Sequence, residues 1–579
     1  MVDFSDLFEE KEIDENNIKQ IIERISGNIR LKQLIVNSKI FMNQGIEDRF
    51  FSSLGFINSL REICFVNLKS SLVRNLLQNK DLEKITIRDT AIKEINQKEF
   101  LTDLISNIKS ENLREINFFK NSLSENSTKV ISNLLQRNKK IETLDLGNNI
   151  LKDLDLLEIC QILENCQNLR YLKLDYNEFT QIGLEHISKV INKIPIQFLD
   201  LSYNNLKGSS EFFKTLQNNN SLETLVASSI SDDINDFGEL CNTLEKNTCL
   251  KNLKIGRIEF TQEIFHYYSN MLSKNKTIKE LEFTRHKMRE NGSLNFSKFL
   301  SKNHTLLKLV IDRNEIGLGI QRFKEQLLQN NTLKYLDISS NKIGANGALH
   351  LKEVIKFNRS IEFLNLSNNF LTKDGAHHLS EGLKSNKTLK SLILTSNEIG
   401  CDGVESIFDS LSNNTSITEL GFRKNNIGNE GADIISNKIN FISNLTKLDF
   451  SANNISKSAK DIAEALYSND SITYLSLNAN ELSDEELEEF ANILKTNRTL
   501  LNLDFRCNKG KNLKEIYFYL NANIPWEERN HQKFNFHFQE AVFSFLCVLK
   551  RINMRIPKPI FLNIVKFINR KKFFKISKK

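Results

Sequence analysis

The stretch LKYLDISSN, residues 333–341, decides the fold, because close copies of it recur along much of the chain. Between residues 306 and 508 the pattern L-x-x-L-x-L-x-x-N occurs eight times, where each L stands for an aliphatic residue or Phe. Successive copies start 27 or 28 residues apart, and the ninth position of each copy is Asn. A period this regular predicts a chain built from stacked supersecondary units.

Each unit has two halves with different periodicities. Positions four and six of the pattern are apolar and alternate with polar residues, as in Leu336-Asp337-Ile338, which is typical of a short strand with one buried face. After the asparagine, apolar residues in the segment 348–357 recur at spacings of three and four, which predicts a helix. One strand and one helix cannot bury their apolar sides alone, so the units must stack into a solenoid.

The pattern resembles a leucine-rich repeat. Its 28-residue period with a helical second half is similar to the subtype found in ribonuclease inhibitor, the Ran GTPase-activating protein and the sensor domains of NOD-like receptors. This resemblance implies an α/β fold, a curved horseshoe with parallel inner strands and outer helices. It also implies that a macromolecular partner binds the inner, concave face, and it implies no particular enzymatic activity.

Earlier, less regular copies extend the array toward the N-terminus. The predicted first positions before the regular block are Leu31, Leu60, Leu82, Leu113, Ile141, Leu169, Ile196, Leu222, Leu250 and Ile278. The asparagine column holds through Asn204 and is then replaced by Ile230, Ile258 and His286 in three consecutive copies. Either another hydrogen-bonding solution serves these turns, or the stretch is remodelled around a partner.

Composition suggests three segments in the 579 residues. Residues 1–27 read as an N-terminal helical cap, residues 28–523 as a solenoid of about 18 repeats, and residues 524–579 as a basic helical segment. Three of the four prolines lie in that last segment, and residues 525–579 carry 13 Lys/Arg against three Glu. The net charge of the whole chain is +7, so its basic character is concentrated in the tail.

No motif in the sequence points to catalysis, a cofactor or a metal. The eight cysteines lack paired zinc spacing and read as buried thiols, and there is no G-x-x-x-x-G-K-[ST] phosphate loop. We expect a cytoplasmic chain without a signal peptide or transmembrane segment. The Asn-x-Ser/Thr triplets that precede the strands, such as Asn386-Lys387-Thr388, fit a structural role in the helix-to-strand turn better than glycosylation.

The candidate partner-binding surface follows from the positions that alternate with the buried ones. The eighth position is tyrosine in two adjacent copies and arginine in three successive copies, and the third position is aromatic in two pairs of adjacent copies. Aromatic and arginine side chains carry much of the binding energy in protein interfaces, and guanidinium rows suit carboxylates or phosphates. The candidate residues on the predicted concave face are Tyr171, Tyr176, Phe198, Tyr203, Arg257, Arg285, Arg313, Tyr335 and Phe363.

The tail carries a second candidate site. Ile556-Pro557, followed by Ile560 and Ile564 at helical spacing, is similar to the opening of F-box and related adaptor-docking helices, and Phe545-Leu546-Cys547 resembles a suppressor-of-cytokine-signalling box. The alternative, which comes first for the tail, is that its two helices cap the last repeat. Attraction of its basic residues to nucleic acid or an anionic membrane is a weaker alternative, so we expect no nucleic acid as partner.

The function that these patterns favour is a non-enzymatic scaffold or recognition module that binds a protein of unknown identity on the concave face. The first alternative is a ubiquitin-ligase substrate receptor whose tail docks an adaptor of the Skp or elongin type. The second is a GTPase-activating protein for a small GTPase, which the resemblance to the Ran activator suggests.

Overall fold

A computed structural model describes residues 18, 19, 22, 31–41, 43–54, 57–90, 97–511 and 513–523. The predicted N-terminal cap lies almost entirely outside the described residues, and the whole predicted C-terminal segment lies outside them. These two boundaries and the docking role of Ile556, Pro557, Ile560 and Ile564 therefore stay predictions. The chain divides after Asn314 into two compact units, a division that the sequence did not predict.

In the first unit, parallel strands alternate with helices, and consecutive strands pair with each other. The strands are β1 Gln33–Asn37, β2 Glu62–Val66, β3 Lys84–Arg88, β4 Glu115–Asn117, β5 Thr143–Asp145, β6 Tyr171–Lys173, β7 Phe198–Asp200, β8 Thr224–Val226, β9 Asn252–Gly256, β10 Glu280–Thr284 and β11 Lys308–Val310. The helices are α1 Gln44–Leu54, α2 Arg74–Leu77, α3 Gln97–Ser106, α4 Glu125–Arg137, α5 Asp153–Leu163, α6 Gln181–Val190, α7 Ser210–Thr215, α8 Ile234–Lys246, α9 Gln262–Lys274 and α10 Arg289–Phe296.

The second unit repeats the same alternation, again with parallel strands that pair in sequence order. Its strands are β12 Tyr335–Asp337, β13 Phe363–Asn365, β14 Ser391–Ile393, β15 Glu419–Gly421, β16 Lys447–Asp449, β17 Tyr474–Ser476 and β18 Asn502–Asp504. Its helices are α11 Ile320–Leu327, α12 Gly344–Phe357, α13 Thr372–Leu383, α14 Gly400–Leu411, α15 Gly428–Lys438, α16 Ala459–Leu466, α17 Asp484–Leu494 and α18 Lys514–Asn523.

The predicted repeat register is confirmed, because every described strand begins two residues after a predicted first position. The fourth-position apolar residues align from strand to strand, for example Leu336 with Leu364 and Leu364 with Leu392. These side chains are buried, so an alanine in place of one leucine would cost about 2–5 kcal/mol. The α/β solenoid of leucine-rich repeats is thus the observed fold of both units.

Where the ninth position is asparagine, its side chain joins the repeat to its neighbours. Asn397 is fully buried, and its side-chain amide donates to the carbonyl oxygens of Leu366 and Leu394 at 2.9 Å. Its Oδ1 accepts from the N–H of Asn369 at 2.8 Å, and its own N–H donates to Oδ1 of Asn425 at 2.9 Å. We call this column of buried ninth-position asparagines the asparagine ladder.

The asparagines that precede the strands have the structural role predicted for them. Asn386 is buried; its amide donates to the Ile355 carbonyl at 2.6 Å, and its Oδ1 accepts from the N–H groups of Thr388 and Leu389. Asn275, Asn303 and Asn497 make equivalent bonds. These side chains supply hydrogen-bond partners for main-chain N–H and carbonyl groups at the turn between a helix and the next strand.

Candidate functional site

The eighth position of each repeat lies beyond the strand, in the turn that follows it. Strand β6 ends at Lys173, and Tyr176 has a φ of 51°. From Asn67 to Cys507, seventeen eighth-position residues have φ between 51° and 60°, the left-handed region. These side chains were predicted to lie in the strand, alternating with the buried residues; that prediction is wrong.

This left-handed turn aligns equivalent residues of neighbouring repeats. The N–H of Tyr176 donates to the Ser202 carbonyl at 2.8 Å, and the N–H of Tyr203 donates to the Ser228 carbonyl at 2.8 Å. The same bond from Arg257 reaches the Thr284 carbonyl at 2.9 Å. Because these bonds continue the sheet spacing of about 4.8 Å past the strands, successive eighth positions form a row. We call residues Tyr176, Tyr203, Ser229, Arg257, Arg285 and Arg313 the turn row.

Three side chains of the turn row stack on one another. The rings of Tyr176 and Tyr203 are 3.9 Å apart at 13°, and the Arg257 guanidinium carbon lies 5.3 Å from the centroid of the Tyr203 ring. Arg257 reaches Tyr203 across Ser229, whose short side chain leaves room for it. Stacking of this kind fixes rotamers before any partner arrives and adds about 0.5–1 kcal/mol of cation–π attraction at an exposed site.

An open hollow of about 860 Å³ lies beside this stack. Besides the three stacked side chains, its lining comprises Asn177, Glu178, Thr180, Asn204, Asn205, Lys207, Ser229, Ile230, Ser231, Asp232, Ile258 and Glu259. All of these residues belong to four consecutive repeats of the first unit, so one face of that unit presents both the stack and the hollow.

The hollow coincides with the interruption of the asparagine ladder. In the preceding repeats, Oδ1 of Asn177 accepts from the N–H of Leu151, and Oδ1 of Asn204 accepts from that of Phe179. The next equivalent N–H, that of Leu206, donates instead to the main-chain carbonyl of Ile230 at 2.7 Å. The prediction of another hydrogen-bonding solution is therefore confirmed at Ile230, and whether a partner shaped this stretch stays a prediction.

The charges around the hollow are only partly paired. Lys207 lies 3.3 Å from Asp232, and Glu259 contacts Lys287 at 2.8 Å and Arg289 at 3.8 Å. Arginines in neighbouring repeats repel one another unless a carboxylate or a ligand neutralises them. Asp312 does contact Arg313, at 3.8 Å, whereas Glu282 pairs with Lys254 and Lys308. Among the described residues, the guanidinium groups of Arg257 and Arg285 form no ion pair.

The open face of the adjoining strands carries a further aromatic pair and a group of charges. Tyr171 and Phe198 are opposite each other in β6 and β7, with ring centroids 6.0 Å apart. Two positions along, Lys173 lies 3.7 Å from Asp145. Burial, together with the neighbouring Asp200 and Asp145 carboxylates, raises the pKa of Asp175 to about 6.

Tyr335 and Phe363 belong to the second unit. They begin strands β12 and β13, face each other in register and stack with centroids 4.1 Å apart at 4°. The structure therefore brings the predicted site residues together as adjacent groups in the first unit and as one separate pair in the second. It does not bring them together as one site within a single unit.

Sequence reasoning missed most of the polar lining of the hollow. Glu178, Lys207, Asp232 and Glu259 lie two to four places after the eighth position, outside the columns from which the site residues were predicted. The charges at position five, such as Lys173 and Asp200, could have been found by listing that column as well.

Neither a metal site nor a membrane-spanning helix occurs in the described part of the chain. It contains no group of three or more His, Cys, Asp or Glu side chains placed to hold a metal ion. Among its helices, none combines the length and apolar character that crossing a bilayer requires.

Comparison with known proteins identifies the repeats. A family model described as "Leucine Rich repeat" matches residues 165–188, 329–351, 385–408 and 413–435. Among solved structures, the chain is similar to "Crystal structure of Rad7 and Elc1 complex in yeast", with 16% sequence identity, a TM-score of 0.39, and coverage of 62% of this chain and 85% of that chain. No curated protein matches the sequence.

Proposed function

We propose that this leucine-rich-repeat chain is a protein-recognition module that contacts its partner through the turn row of the first unit and the hollow beside it. The observation that carries this proposal is the stack of Tyr176, Tyr203 and Arg257. It places two aromatic rings and a guanidinium without an ion pair among the described residues at the rim of an open hollow.

The fold itself does not require these residue types. At the same left-handed position other repeats carry mainly small or polar residues, including Asn67, Asn148, Ser340 and Asn368. Asn adopts this conformation readily, whereas larger side chains pay a conformational cost there. Two tyrosines and three arginines in neighbouring repeats are therefore better explained by what their side chains do outside the fold.

Their exposure and rigidity also suit binding. Tyr176 is 44% exposed and Tyr203 is half-buried, so each ring keeps surface for a partner while stacking limits its motion. A preorganised side chain loses less entropy on binding, and Tyr and Arg are the residue types that most often dominate interface energies.

Site-specific photo-cross-linking tests the proposal. A benzophenone amino acid would replace Tyr176 in the full chain, and cross-linked proteins from the cells that express the chain would be identified by mass spectrometry. The purified partner should then bind the Tyr176→Asn/Tyr203→Asn chain at least tenfold more weakly than the wild-type chain, because two aromatic anchors are lost.

Lys120 provides the matched control, because it occupies the eighth position of an earlier repeat of the same unit with a φ of 60°. The benzophenone placed there should not give the same adduct. Equal cross-linking at both positions, or an unchanged Kd for the double Asn variant, would contradict the proposal.

The two alternatives from the sequence stay predictions. Docking of a ubiquitin-ligase adaptor depends on the tail, which lies outside the described residues. GTPase activation would be tested by adding the chain to a small GTPase and measuring GTP hydrolysis with and without Arg257→Asn.

A further inference from the structure

We infer that the turn row binds an extended, acidic and unphosphorylated segment of the partner protein, with carboxylates on the arginines and an apolar side chain on the tyrosines. This inference rests on the proposed function and adds the chemistry of the partner. Its starting point is the composition of the row, which is aromatic at one end and cationic over three successive repeats at the other.

Two of the three arginines form no ion pair with a described residue, and the third forms one long contact. Among the described residues Arg257 and Arg285 make no ion pair, and Arg285 is half-buried. Arg313 has only the 3.8 Å contact with Asp312. Of the other carboxylates on the rim, that of Glu259 contacts Lys287 and Arg289, and that of Asp232 contacts Lys207. A partly buried guanidinium gains most from an incoming carboxylate, because the planar groups can form two parallel hydrogen bonds.

Spacing favours an extended chain that crosses the repeats. The N–H of Arg285 donates to the Asp312 carbonyl at 3.1 Å, which holds the turns of Arg285 and Arg313 side by side. With about 4.8 Å between repeats, Arg257 and Arg313 are separated by about 10 Å at the backbone, the length of three residues of extended chain. Two acidic residues placed two or three apart would therefore reach the arginines. An apolar residue three or four places away would reach Tyr203.

Singly charged carboxylates suit this row better than phosphates or nucleic acid. The arginines are spread along a line, so they do not converge on one dianion. Carboxylates interrupt the surface at Glu178, Asp232, Glu259 and Asp312, and they would repel a continuous polyanion. The inner faces of Tyr176 and Tyr203 are already stacked on each other, so a nucleobase cannot insert between them.

Selection from a library of random decapeptides displayed on phage tests the inference with the full chain. Enriched peptides should carry two Asp or Glu residues spaced by two or three positions and an aliphatic or aromatic residue three or four positions from them. A fluorescein-labelled version of the most enriched peptide should bind in a salt-dependent manner. Its affinity should fall about three- to tenfold for each of Arg257→Asn and Arg285→Asn, and at least tenfold when its acidic residues are replaced by Asn or Gln.

The asparagine replacements keep the fold, because Asn already occupies the same left-handed position in Asn67, Asn148 and Asn368. Lys120→Asn, which removes the same charge at an equivalent position of the first unit, should leave the affinity unchanged. Circular dichroism of every variant would verify folding.

Any of three other results of the selection and binding experiments would overturn the inference. These outcomes are enrichment without acidic residues, no enrichment over the Arg257→Asn/Arg285→Asn chain, and tighter binding of a phosphoserine version of the peptide or of a twelve-nucleotide single-stranded RNA. Cross-links from position 176 without an acidic preference would overturn this inference alone. Absence of cross-links would overturn the proposed function as well.

Discussion

From Asn341 to Asn480, six successive buried asparagines connect the repeats of the second unit, whereas in the first unit Ile230, Ile258 and His286 occupy the same position. In the second unit the side-chain amides satisfy the turns on both sides. In the first unit a main-chain carbonyl and an imidazole replace them. The interrupted stretch also adjoins the hollow and carries two of the three arginines of the turn row, Arg257 and Arg285.

Aromatic packing replaces much of the missing polar network. The His286 ring is fully buried and lies 4.3 Å from Phe260 and 4.0 Å from Phe283, measured between ring centroids. Tyr268 packs against the same two phenylalanines, at 5.7 and 4.9 Å. The comparison shows that this fold tolerates loss of the ladder where apolar rings fill the space, and that the turn surface can then diverge.

Breaking the intact ladder should have the largest effect. Asn397→Ala removes a fully buried side chain that bonds to the carbonyls of Leu366 and Leu394 and to the N–H of Asn369. Since these main-chain groups would be left without partners, we expect a loss of about 3–5 kcal/mol in unfolding free energy. Urea denaturation followed by circular dichroism measures it.

Ser396→Asn, at the adjacent left-handed turn position, is the control and should change the unfolding free energy by less than about 0.5 kcal/mol. A loss below about 1 kcal/mol for Asn397→Ala would mean that the ladder contributes little even where it is complete.

Acid should weaken the interrupted stretch through His286. Burial lowers the pKa of His286 to about 4, although its ring nitrogens contact the carbonyls of Ile258 at 2.9 Å and Ile255 at 3.1 Å. In the unfolded chain the pKa is about 6.5. The unfolded state therefore binds more protons between these values, and up to about 3 kcal/mol of stability is lost as the pH falls from 6.5 to 4.

His286→Asn, which restores the ladder residue and cannot titrate, should remove this part of the pH dependence. The measurement is the difference in unfolding free energy between wild type and variant at pH 7 and pH 4, with the exposed His304→Asn as control. A difference that does not change with pH would show that burial does not keep the imidazole neutral.

A smaller effect on stability is expected from titration of Asp175. This residue occupies the seventh position of its repeat, which is serine at Ser339 and Ser367 in the second unit. The pKa of Asp175 is raised to about 6 from 3.8, so the folded chain binds more protons in this window and stability falls as the pH rises through it. Asp175→Asn should therefore stabilise the chain by about 1–2 kcal/mol at pH 7.5 and by little at pH 4. Equal gains at both pH values would exclude a titration effect, and thermal melts at each pH distinguish the cases.

The smallest effect concerns the aromatic packing itself. The hydroxyl of Tyr268 is buried and has no hydrogen-bond partner among the described residues. Tyr268→Phe removes this uncompensated polar group and should leave stability unchanged or raise it by about 0.5–1 kcal/mol. Tyr267→Phe, at the exposed neighbouring position, is the control. A clear loss of stability for Tyr268→Phe in calorimetry would indicate that its hydroxyl has a polar partner.

The repeat register could be predicted because the apolar residues of each copy recur at fixed positions in the sequence. Leu34, Ile63 and Ile85 belong to irregular early copies, yet each is buried as the second residue of a strand. When each repeat of about 28 residues contains one short strand with alternating buried residues, few folds other than a stacked solenoid can bury all of these strands.

The site was harder to predict, because position in a repeat does not give backbone conformation. Tyr176 and Arg257 were predicted to lie in strands, whereas both adopt a left-handed φ in the turn that follows the strand, which only the structure shows. The contact between Arg257 and Tyr203 depends on the short Ser229 between them, a local detail that no periodicity encodes. The division after Asn314 has no signature in the pattern either.

The left-handed turn also bears on how such a surface could change over generations. Residues as different as Asp89, Ala452 and Cys507 occupy the same backbone state there, and its main-chain bonds do not depend on the side chain. Substitution at this position can alter the chemistry displayed to other molecules while the interior stays the same. Single substitutions at this position, one repeat at a time, can therefore change which partner is bound while every intermediate sequence still folds.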